Sequence, residues 1–71
     1  MGMSSPKTKA QAREQIAKLQ GEIAQKKAQI AHHKSQYSGA YARSQQANMQ
    51  QDIADKKAQI AKLRAQIPSL P

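Results

Sequence analysis

The isoleucines of this chain keep a seven-residue beat and then lose it. They fall at Ile16, Ile23 and Ile30, and again at Ile53, Ile60 and Ile67. Between Ile30 and Ile53 the step is 23 residues, three sevens and two over. An α-helix turns about 100° per residue, so one unbroken helix would hold the two stripes roughly 140° apart. The stretch between them, Gln36-Tyr37-Ser38-Gly39-Ala40-Tyr41-Ala42, contains the residue that removes the conflict. Gly39 tolerates the left-handed backbone conformation that ends helices. Two helical arms reversing at Gly39 bring both stripes onto one seam.

The arms are rich in Ala, Gln and Lys, which favour helix over strand. The expected organisation is a flexible lead at 1–7, a helical hairpin at 8–67 and a loose tail at 68–71. Within the hairpin we expect a helix at 8–37, a turn at 38–41 and a helix at 42–67. Two starts are open for the first helix. Ser5 can cap it with Pro6 in the first turn, or Thr8 can cap it with Gln11 completing a Thr-x-x-Gln box. Pro68 stops the second helix. Written as heptads abcdefg from Lys9, position a is Ile at 16, 23 and 30, while d runs Ala12, Leu19, Lys26 and His33. In the second arm a is Gln46, Ile53, Ile60 and Ile67, and d is Met49, Lys56 and Leu63.

Antiparallel coiled coils set a of one helix against d of the other. For a turn centred between residues 39 and 40, partners have numbers that sum to 79. Ile16 then meets Leu63, Leu19 meets Ile60, Ile30 meets Met49 and His33 meets Gln46. Ile23 meets Lys56, and Lys26 meets Ile53. The expected seam is therefore Ile16, Leu19, Ile23, Ile30, Met49, Ile53, Ile60 and Leu63, with Gly39 at the turn. Lys26 and Lys56 lay their aliphatic stems along it and send their ammonium groups to water; as a polar layer they would also fix register and oligomer state. Residues 22–31 and 52–61 match at eight of ten positions, as a duplicated arm or two converging Ala/Gln/Lys coils would.

Seventy-one residues without Cys, Phe or Trp give a single hairpin little apolar area to offset chain entropy. This implies self-association, most simply a dimer forming a four-helix bundle. Alanine at b (Ala17, Ala24, Ala31, Ala54, Ala61) and at f (Ala28, Ala58, Ala65) leaves room for a neighbouring helix.

Charge is sorted by edge. Twelve Lys/Arg against four Asp/Glu give +8, which biases the chain toward acidic partners. Position e holds Arg13, Gln20, Lys27 and Lys34, then Arg43, Gln50, Lys57 and Arg64. In an antiparallel pair e faces e, so one edge carries six cations and no acid. Position g on the other edge is Gln apart from Glu22 and Asp52. The six candidate partner-binding residues are Arg13, Lys27, Lys34, Arg43, Lys57 and Arg64. Their first expected target is an acidic protein surface. The alternative is the backbone of DNA or RNA, since a helix of this length spans several phosphates.

The remaining function classes are disfavoured by the residues. No nucleophile, base and acid can be assembled in a concave site, so neither an enzyme nor a small-molecule substrate is expected. Adjacent His32 and His33 point about 100° apart on a helix, which suits no shared metal; neither metal nor cofactor is expected. No apolar run reaches the length of a membrane span, and without a bulky apolar face membrane insertion is not expected. The absence of a signal-peptide pattern makes the cytoplasm the default location.

Overall fold

A computed structural model describes residues 5–71. Among them the chain is all-helical. Helix α1 spans Lys9–Gln36, helix α2 spans Ala40–Gln66, and a 3-10 turn, η1, spans Ile67–Ser69. The two long helices pack against each other in a rod measuring 49 × 20 × 15 Å.

Of the two starts open to α1, Thr8 is the one used. Its side chain accepts a hydrogen bond from the Gln11 amide at 3.2 Å, satisfying one of the orphan donors of the first turn. The return bond of the box lands one residue early: Gln11 Oε1 accepts from the Lys7 amide at 2.8 Å. The expected flexible lead falls partly outside the described residues. Within the described part Pro6 is buried and the Lys7 amide donates to Gln11, so these two residues are held against the helix they precede.

The reversal also departs from expectation. Gly39 does have positive φ, but at φ 102° and ψ −179° it lies outside the left-handed helical region and does not end α1. Tyr37 ends α1 in an extended conformation, its amide donating to the His33 carbonyl at 2.8 Å. Gly39 instead begins α2, its carbonyl accepting from the Arg43 amide at 3.0 Å. The turn thus occupies 37–39 and not 38–41, and α2 starts at Ala40, two residues before the expected 42. Backbone of this kind is essentially glycine-only, and another residue there costs about 1–3 kcal/mol.

The seam holds one contiguous cluster: Ile16, Leu19, Ile23, Ile30, Ile53, Ile60 and Leu63. Met49 packs against it partly exposed, as does Ile67. Two positions absent from the expected seam are among the most enclosed, Ala12 at 0% and Ala42 at 4% exposure; both occupy d, one near the start of each helix. The tail differs from expectation as well. Pro68 stops α2 but does not release the chain, because its fixed φ suits the first turn of a helix. It sits inside η1, which packs on both helices. The Pro71 carbonyl then accepts from the Lys9 amide at 2.9 Å. The chain closes on itself at the end opposite the Gly39 turn.

Candidate interaction surface

The register of the hairpin is visible in its polar contacts. Gln46 Nε2 lies 3.1 Å from His33 Nδ1, the pair that the heptads place opposite each other. Two helices in that register turn all their e positions to one side and all their g positions to the other, and the two sides behave differently.

On the g side, four charges form a cluster. Lys26 Nζ lies 3.5 Å from Asp52 Oδ2, and Lys56 Nζ lies 3.8 Å from Glu22 Oε2. Lys56 also donates to Asp52 Oδ1, one turn earlier on its own helix, at 3.2 Å. Both lysines are only partly exposed, at 29% and 20% of the side chain. Their stems follow the seam, and their ammonium groups bend to the g edge, where the acids hold them. The Lys56 hydrogen bond, aided by the Lys26 charge and opposed by partial desolvation, keeps the Asp52 carboxyl below the ordinary aspartate value. The sequence carried the signal: the only acids at g stand four residues before the only lysines at d, the spacing of a helical ion pair. The lysine stems follow the seam as expected, but the ammonium groups end on these acids and not in open water.

On the e side the six cations Arg13, Lys27, Lys34, Arg43, Lys57 and Arg64 are all exposed. Among the described residues the ion pairs join only Glu22, Lys26, Asp52 and Lys56, so none of the six belongs to one. Cations line two shallow grooves on this side, and at the turn one from each helix shares a groove. Lys57 and Arg64 line one with Gln20, Ile23, Ile60 and Ala61. Lys34 and Arg43 line another, at the turn, with Tyr37, Ala42 and Gln46. The same register sets Arg13 beside Arg64, and Lys27 beside Gln50. Because the four-charge cluster is neutral in itself, the net +8 of the chain resides on the rest of the surface.

The turn adds two exposed aromatics, Tyr37 at 60% and Tyr41 at 79%. The Tyr37 ring is tilted 43° against His33 with centroids 4.8 Å apart. His33 is thus engaged by Gln46 on one side and Tyr37 on the other. Among the described residues no group of His, Asp and Glu has the arrangement of a metal site, and no helix is long and apolar enough to cross a membrane. No family model, curated protein or solved structure matches this chain.

Proposed function

We propose that this chain is a non-enzymatic interaction module. In this reading it docks an acidic protein surface through Arg13, Lys27, Lys34, Arg43, Lys57 and Arg64, and it self-associates. The observation that carries the reading is the separation of paired from unpaired charge. The chain spends its two g-edge acids on its own lysines and leaves six cations side by side on the other edge. Like charges in a row repel one another, so the arrangement costs the isolated hairpin stability that a complementary partner returns. Self-association, most simply a dimeric four-helix bundle, is supported by the thinness of the core: one row of side chains from each helix, with the alanines at b and f exposed.

Binding of a fluorescent poly-glutamate peptide, followed by anisotropy, tests the docking reading. Reversing Lys27 and Lys57 to Glu should abolish binding while helix content by circular dichroism stays unchanged. Binding that survives the double reversal sinks it. Sedimentation equilibrium tests the bundle, and a spin-label distance between Gln15 and Gln66 separates a closed hairpin from arms exchanged between chains. The pair lies close within a closed hairpin and at opposite ends of an opened one.

A second reading rests on the turn. Tyr37 stands exposed and lines the groove holding Lys34 and Arg43, with Tyr41 exposed nearby in the chain, and an aromatic beside cations is what single-stranded nucleic acid uses for stacking and charge. Tight binding of single-stranded RNA that weakens steeply with salt and is lost on changing both tyrosines to Ala would move this reading to first place.

A further inference from the structure

Docking on an acidic protein surface, the reading on which the groove proposed below rests, leaves the shape of the partner open. Two features of the basic edge narrow it.

The first is symmetry. Position e of α1 repeats in α2 thirty residues on: Arg13 and Arg43, Gln20 and Gln50, Lys27 and Lys57, Lys34 and Arg64. Two antiparallel helices related in this way have a pseudo-twofold axis perpendicular to their length, and the axis passes through the middle of the e edge. Each end of the edge carries two facing cations, Arg13 with Arg64 and Lys34 with Arg43. The middle carries one from each helix, Lys27 and Lys57. The rungs are one heptad apart, about 10.5 Å at 1.5 Å per residue.

The second is what flanks the cations. Position b lies about 60° further round each helix on the same side. It is alanine without exception in both helices, including Ala24 and Ala54, and both of those are exposed. Ala61 shares a groove with Lys57 and Arg64. On the opposite side the position next to g is Gln, Lys, His, Tyr, Asn or Asp. Only the basic side therefore combines long cationic side chains with a methyl-sized shoulder on which another backbone can settle closely.

We propose that the basic edge is a groove for a single acidic α-helix. The helix presents Glu or Asp once per heptad to the cation rungs and small residues to the alanine shoulders, and it is accepted in either chain direction. The repeat of such a helix matches the rung spacing because both obey the same rise per residue. A second copy of this chain is a poor occupant: two of its four acids, Glu22 and Asp52, are already engaged, which leaves Glu14 and Asp55.

The probes are two synthetic peptides of identical composition, Ala-rich with one Glu per heptad plus flanking Glu. One is uninterrupted, and its isomer has prolines moved from the ends to the centre so that it cannot form a helix. Affinity by anisotropy should favour the helical peptide by about tenfold, since the isomer forfeits preorganisation. Ala24→Gln with Ala54→Gln crowds the shoulders without changing charge or helix content. It should cost the helical peptide about tenfold and leave the isomer unaffected. Lys27→Glu and Lys57→Glu, made singly, should weaken the helical peptide equally, by about fivefold each, because the peptide can reverse direction. Equal affinity for both peptides, or indifference to the alanine changes, overturns the groove while leaving charge-based docking intact. Unequal loss at Lys27 and Lys57 overturns its symmetry. Binding of neither peptide overturns the docking reading as well.

Discussion

Lys26 and Lys27 are neighbours in sequence, and so are Lys56 and Lys57, yet each pair divides between two different edges. Lys26 and Lys56 run along the seam to Glu22 and Asp52. Lys27 and Lys57 stand in solvent on the other side, in no ion pair. A helix advances about 100° per residue, and that single step separates a lysine that holds the hairpin together from one free to hold something else. Charge count alone says nothing about role here; heptad position does.

Substitution should split the two pairs cleanly. Lys26→Glu with Lys56→Glu would put four carboxylates into the partly enclosed cluster and leave no cation among them. The expected loss is about 3 kcal/mol, enough to unfold so thin a hairpin, read as loss of the cooperative thermal transition. Replacing the same two residues by Leu extends the apolar seam. The melting temperature should rise by the equivalent of about 2 kcal/mol from added apolar burial, the two acids left unpaired being about two-fifths exposed to water. Cross-linking and sedimentation should then reveal mixed registers or assembly states, because the polar layer that chose among them is gone.

Acid attacks one edge and spares the other. The Asp52 pKa is depressed in the folded chain, so its contribution is fully present above the ordinary aspartate value and is lost as pH falls through the folded one. Melting temperature should fall on going from pH 5 to pH 3, and the slope should shrink in Asp52→Asn. If the variant keeps the full slope, Asp52 is not the responsible group. Gly21, on the outer face at f, meets no neighbouring atom within 4 Å where a Cβ would stand. Gly21→Ala should add about 1 kcal/mol without altering either edge, a control for any change acting through helix content. Smallest of all, Lys27→Glu with Lys57→Glu should shift stability by about 0.5 kcal/mol or less while removing poly-glutamate binding.

The hairpin could be read from the chain because its two strongest signals agree: isoleucine at a, and a glycine where the beat breaks. Both are local. The features that escaped depend on atoms from distant parts of the chain meeting. Glu22 reaches Lys56 across the seam, and pairwise spacing along one helix only hints at that. Pro68 stands two residues past the end of α2, but nothing in residues 68–71 announces a backbone bond to Lys9. The start of α2 at Ala40 depends on the backbone of Gly39, which caps the helix there and so draws Ala40 and Tyr41 out of the turn. The basic edge follows from heptad phase alone. The alanine shoulders beside it take on meaning only once Ala61 is found lining a groove with Lys57 and Arg64.

The bond between the Lys9 amide and the Pro71 carbonyl also fixes how the molecule answers to force. Anchors at those two residues sit side by side, so tension between them pulls the helices apart sideways at one end. The seam must then open rung by rung toward Gly39, each heptad yielding before the next is loaded. Tension along the rod, applied between the turn and the closed end, is shared by the two helices in parallel and leaves the seam unloaded. The same hairpin is a zipper in one direction and a strut in the other.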